Sequence, residues 1–142
     1  MVAGDGLLHP VAMAAIALLI LNDHVLKSAY PGPITGKISD FMGLLFFPLA
    51  VQAAVEIGAR IVGRDATANQ RVLLVAIAAT GIVFTAVKLI PEINVVAELA
   101  IGWLQVADTR PRIALDATDL IALPALLMAW HIGAGRVRAD LA

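Results

Sequence analysis

The sequence predicts an all-α protein: a four-helix transmembrane bundle with one short amphipathic interfacial or re-entrant helix between the third and fourth spans. Three observations predict it. Of 142 residues, 61% are hydrophobic and only 15% charged, with a mean hydropathy of +0.90, more apolar surface than a soluble domain of this length can bury. Several windows hold about 20 mostly apolar residues, the length that a helix rising 1.5 Å per residue needs to cross roughly 30 Å of hydrocarbon. Finally, the polar interruptions cluster at the ends of the apolar runs, and alternating spans bring those ends to one membrane face.

Pro10 suits a first helical turn, and Tyr30 before Pro31-Gly32-Pro33 marks a stop, giving a first span of about 10–30. Its purely apolar stretch, Val11 to Leu21, covers only about 16 Å. The span must therefore include Asn22, Asp23, His24 and Lys27. A short loop makes the second span, about 39–61, run antiparallel beside the first, with Thr35 or Ser39 as N-cap and Asp40 in its first turn. Pro48 is expected to kink it. Ala50, Ala54 and Gly58 form a small-residue stripe suited to helix contact.

Residues 59–71, with Arg60, Arg64, Asp65, Asn69 and Arg71, form a polar loop. The third span, about 72–90, carries Gly81, Thr85 and Lys88 on one face and stops at Pro91, with Glu92 continuing the stripe. Residues 92–106 are apolar but too short to cross, and Asn94, Glu98 and Gln105 share one side. After a loop with Asp108, Arg110 and Arg112, the last span covers about 115–134 and contains Pro124. No internal repeat is present, and 1–142 reads as one polytopic membrane domain.

The net charge of −1 and the lack of a basic run predict no nucleic-acid partner. Without cysteine there is no disulfide, thiolate nucleophile or sulfur metal site. A first segment with Asp5 and no basic n-region predicts no removable leader. Lysine and arginine divide evenly between the faces: Arg60, Arg64, Arg71, Arg136 and Arg138 against Lys27, Lys37, Lys88, Arg110 and Arg112. Because the three lysines lie near Asp23, Asp40 and Glu92, their charge is discounted, and the expectation is a multi-pass cell-membrane protein with cytoplasmic termini.

Ionisable groups at membrane depth are costly and by default mark a site. The cluster holds Asp23, Asp40, Glu92, Asp116 and Asp119 against Lys27, Lys37 and Lys88, and it is read as one nearly charge-balanced unit with Asp23 deepest. Asp23 and His24 are the candidate catalytic, proton-handling groups. Asn22, Lys27, Thr35, Lys37, Asp40, Lys88 and Glu92 are candidate ligand-binding groups. Asp116 and Asp119, three residues apart, are candidate ligands for a divalent cation, the one cofactor considered, though two acids can equally start a helix. Thr35-Gly36-Lys37 is rejected as a nucleotide loop, since the leading glycine and the strand before it are missing. Glu56 with Arg60 reads as a surface pair, Gln52 as a helix contact, and Tyr30, Trp103 and Trp130 as interface anchors.

The strings Leu21-Asn22-Asp23-His24-Val25-Leu26-Lys27, Pro31-Gly32-Pro33-Ile34-Thr35-Gly36-Lys37-Ile38-Ser39-Asp40-Phe41 with Gly43, and Asp116-Ala117-Thr118-Asp119-Leu120-Ile121-Ala122-Leu123-Pro124 resemble a group of small uncharacterised bacterial four-span integral membrane proteins. More distantly, the layout resembles the VanZ-like proteins. That resemblance implies four spans, matching polar positions at Lys37, Asp40, Asp116 and Asp119, and a link to the cell envelope, with no assigned activity.

Three functional expectations follow. The first is a pocket for a lipid headgroup or other envelope ligand, with membrane lipids as partners and a homo- or hetero-oligomer allowed. The second is a proton or ion transport component. The third is a structural membrane protein whose cluster only locks the helices.

Overall fold

The computed structural model describes residues 4–64, 69–104 and 112–140. Four of its helical segments are long and apolar enough to cross a membrane, and together they form a transmembrane-type helical bundle; no strand occurs among the described residues. Helix α1 runs Pro10–Ala29, α2 Pro33–Ile61, α3 Gln70–Leu89, α4 Pro91–Leu104 and α5 Ala125–Asp140, with a 3₁₀ turn at Ala117–Ala122 leading into α5. Asp65, Gln105, Asp108 and Arg110, and the expected end of the short helix at 106, lie outside the described residues.

Helix α1 contains a π-helical stretch, Asn22–Leu26, at the point where its apolar run ends. Asn22 continues the buried stripe of Ala12 and Ala15 and is fully buried, whereas Asp23 and His24 lie on the outer side. Helix α2 starts at Pro33, earlier than expected, because a proline with no amide to lose and φ already set is suited to the first position. Thr35 and Ser39 are therefore inside the helix and do not cap it. The Thr35 hydroxyl donates to the Gly32 carbonyl at 2.9 Å. Pro48 is buried within α2, whose helix continues past it to Ile61.

Asn69 caps α3, its Oδ1 accepting from the Arg71 amide at 2.8 Å. Helix α3 stops at Leu89, with Ile90 extended just before Pro91 as expected, and Pro91 then opens α4 at its first position. Helix α4 presents its polar side to the protein: Asn94 is buried and donates to the carbonyls of Val87 and Ile113, and Glu98 accepts from the Ile113 amide. Its apolar residues Val95, Val96 and Trp103 are exposed. The amphipathic pattern is thus used inside out, as lipid surroundings allow. Ile101 shares a groove with Thr80 and Phe84 of α3, so α4 doubles back along α3.

The last span begins as a 3₁₀ turn. Pro124, without an amide, falls between that turn and α5. Asp116 caps the turn, accepting from the Thr118 amide and hydroxyl at 2.8 and 2.7 Å.

Helix α1 packs on α2, whereas α2, α3 and α5 pack on one another. Their shared core is Leu44, Leu45 and Leu49 of α2, Leu73 of α3, and Leu126 and Ala129 of α5. The small-residue contacts are not those expected. Ala54 is exposed and open space surrounds Gly58. The close approach is instead at Gly133, where a Cβ would lie 2.5 Å from Leu73 Cδ2, and at Gly81, where it would lie 3.0 Å from Leu126 Cδ1. Exposed Tyr30 and Trp103 are placed to meet the interface, while Trp130 packs against the core.

Glu56 is buried, in contrast to the surface position expected for it. Its Oε2 accepts from the Gly4 amide at 3.1 Å, which ties the segment before α1 onto α2. Gln52, one turn away, is also buried and would touch any side chain at Gly133.

Candidate functional site

The polar residues at the membrane end separate into two networks on different sides of α2. On one side, Asn22 Nδ2 donates to the Thr35 carbonyl and to Ser39 Oγ, each at 2.7 Å. Ser39 in turn donates to Asp23 Oδ1 at 2.6 Å, and Lys27 pairs with that same carboxylate at 2.7 Å across one helical turn. This network holds α1 on α2 and ends in a pair that is about two-fifths exposed.

On the other side lies a chain of alternating charge. Lys88 of α3 touches Asp119 Oδ2 at 2.6 Å and forms an ion pair with Asp40 Oδ2 at 2.8 Å. Lys37 of α2 takes the second oxygen of Asp119 at 2.6 Å and Thr118 Oγ1 at 2.6 Å, and reaches Asp116 Oδ2 at 3.5 Å. The order is Asp40, Lys88, Asp119, Lys37, Asp116, most buried at Lys88 and Asp119 and reaching the rim at Lys37 and Asp116. Lys88 and Asp119 are buried, with side chains 6% and 8% exposed, so charge pairing and hydrogen bonding must satisfy them internally. Lys88 also sits 5.6 Å from the centre of the Phe84 ring.

The deepest groups are thus Lys88 and Asp119, not Asp23. The reason is helical phase: Asn22 continues the buried stripe of Ala12 and Ala15, and Asp23 falls beside it on the exposed side. His24 is exposed on α1, away from Asp116 and Asp119. Glu92 is exposed at the start of α4 and joins neither network. Asp116 and Asp119 meet ammonium groups where a divalent cation was expected, and among the described residues no three His, Asp or Glu side chains converge on a metal position. Ser39 and Thr118, both essential links here, were weak in the sequence because a hydroxyl one turn from an acid has many ordinary roles.

At the rim, the hydroxyl and amide of Thr118, followed by the nearby Lys37 charge, hold the Asp116 carboxyl below the usual carboxylate range. A groove of about 320 Å³ starts beside the buried chain, at Ser39 and Asp40, and continues between α2 and α3 past Gly43, Phe47, Thr80 and Phe84.

No protein-family model, curated protein or solved structure matches the chain. Its length, composition and helix pattern make it a multi-pass membrane protein. What the polar end does must be argued from its geometry.

Proposed function

We propose that the polar end receives the headgroup of a membrane phospholipid, with Lys37 as the contact for the phosphate. The position of Lys37 carries this reading. Two of its donors are committed at 2.6 Å to Thr118 and Asp119, while the contact to Asp116 is long, at 3.5 Å, and the side chain is one-third exposed. An ammonium held this firmly at a membrane face, with a donor left over, suits a phosphate oxygen. The buried Lys88, Asp119 and Asp40 below it serve as the rigid base.

The same geometry speaks against a transport pathway. Twelve residues of α2 separate Asp40 from Gln52, about 18 Å of helix, and the packed Leu44, Leu45, Leu49, Leu126 and Ala129 fill that interval. In this reading the protein lies in the cell membrane with cytoplasmic termini. Acids on the polar face compensate Lys27, Lys37 and Lys88, whereas exposed Arg64 and Arg71 favour the cytoplasmic side for the opposite face. The envelope link implied by the VanZ-like resemblance belongs to the same proposal.

The test is phospholipid retention. Purified protein in mild detergent should carry phospholipid detectable by native mass spectrometry, and Lys37→Ala should lose it while keeping the far-ultraviolet helix signal. Equal retention by wild type and Lys37→Ala would count decisively against the site.

A further inference from the structure

Building on that headgroup reading, we infer that the ligand is a glycerophospholipid with a primary-ammonium headgroup, seated with one acyl chain in the groove between α2 and α3. Two features point there, one for the head and one for the tail.

The head argument is charge complementarity. The alternating chain holds three carboxylates, Asp40, Asp119 and Asp116, against two ammonium groups, Lys88 and Lys37. Lys37 Nζ lies 3.5 Å from Asp116 Oδ2, so a phosphate on Lys37 would bring a further anion beside Asp116, an unfavourable pairing unless the ligand brings its own cation. Asp116 is more than one-third exposed at the rim, and one of its oxygens already accepts from Thr118. Its second oxygen can accept from a headgroup ammonium. A primary ammonium has N–H donors for that oxygen, whereas a fully methylated one has none, and an uncharged glycerol head leaves the excess charge unmatched.

The tail argument is shape. The groove begins at Ser39 and Asp40, next to the buried end of the charge chain, and descends along α2 through Gly43 to Phe47, about 10 Å into the bilayer. Thr80 and Phe84 form its other wall, and Ile101 of α4 also lines it. Phe84 both lines the groove and stands beside Lys88, so the tail seat and the charge chain share a wall. Gly43 keeps the groove open: a Cβ there would meet nothing within 4 Å. A side chain at 43 therefore leaves the backbone into open space and is placed to occupy the groove.

The experiment incorporates the full chain into nanodiscs containing equal parts phosphatidylethanolamine, phosphatidylcholine and phosphatidylglycerol, extracts it mildly, and reads the retained lipid by native mass spectrometry. Wild type should retain phosphatidylethanolamine about tenfold over either competitor, the ratio expected of one charge-assisted hydrogen bond. Asp116→Asn should bring that preference close to parity while phospholipid is still retained. Gly43→Phe should reduce total retention about tenfold at an unchanged thermal midpoint, and Gly43→Ala should fall between. Retention without headgroup preference, or retention unaffected by Gly43→Phe in a folded protein, overturns this inference while leaving the headgroup reading in place. If wild type retains none of the three lipids, the headgroup reading itself fails and this inference falls with it.

Discussion

Replacing Lys88 with methionine tests whether the alternating chain is coupled as the structure indicates. Lys88 lies 2.6 Å from Asp119 and 2.8 Å from Asp40. At an effective dielectric constant of about 20, each attraction is about 6 kcal/mol. Desolvating three ions at several kcal/mol each offsets most of this, so the intact chain contributes little net stability. Its removal is a different matter. Asp119 keeps Lys37, but Asp40 loses its ion-pair partner while only 19% exposed. Breaking a buried pair typically costs about 3–5 kcal/mol, and the partial exposure of Asp40 puts Lys88→Met near the lower end, about 3 kcal/mol. Adding Asp40→Asn removes the stranded charge and should recover about half of that loss, a coupling that the double-mutant cycle reads directly. The assay is equilibrium unfolding in mixed micelles on titration with dodecyl sulfate, followed by circular dichroism. A loss below about 1 kcal/mol for Lys88→Met would refute the coupling, as would a double variant no more stable than Lys88→Met alone.

Two glycines should respond with opposite signs. Gly133→Val places carbon against the δ carbons of buried Leu73 and the amide oxygen of Gln52, and should cost about 1–3 kcal/mol in the same unfolding assay. Gly58→Ala, on a helix with open space around it, should stabilise by about 0.5–1 kcal/mol, and destabilisation there would contradict the packing. Asp116 predicts a pH response whose sign follows from its lowered pKa. Its stabilising contribution is complete above the unfolded value, near 3.8, and is lost as pH falls through the still lower folded value. Thermal midpoints of wild type and Asp116→Asn should therefore differ at pH 6 and converge as the carboxyl protonates in strong acid; a difference that grows on acidification would reverse the assignment.

The parts of this architecture that were legible in the sequence are those governed by local rules. Runs of about 20 apolar residues can only be spans in lipid, and an acid four residues before a lysine on one helix, Asp23 and Lys27, pairs where it stands. What escaped depends on helical phase or on partners far along the chain. Asn22 continues the buried stripe of Ala12 and Ala15 at helical spacing, so Asp23, one residue on, falls on the exposed side, a phase that depth along the helix axis does not give. Lys37 and Lys88 lie three and four residues from Asp40 and Glu92, yet both pair with another acid of the cluster, Asp119, 82 and 31 residues distant.

The same dependence explains α4. Its polar side looked ready for water, but Asn94 and Glu98 bind the backbone at Ile113, and the polar stripe is consumed in positioning the segment that delivers Asp116 and Asp119. That link joins the fold to the site. The short helix supports the connection that places the acids beside Lys37 and Lys88, and its Ile101 lines the groove below them. A lone buried ion pair would have needed only α2, α3 and the 3₁₀ turn. The added short helix lines the groove beside the charges, and this gives the polar end a geometry suited to an amphiphile as well as to a helix lock.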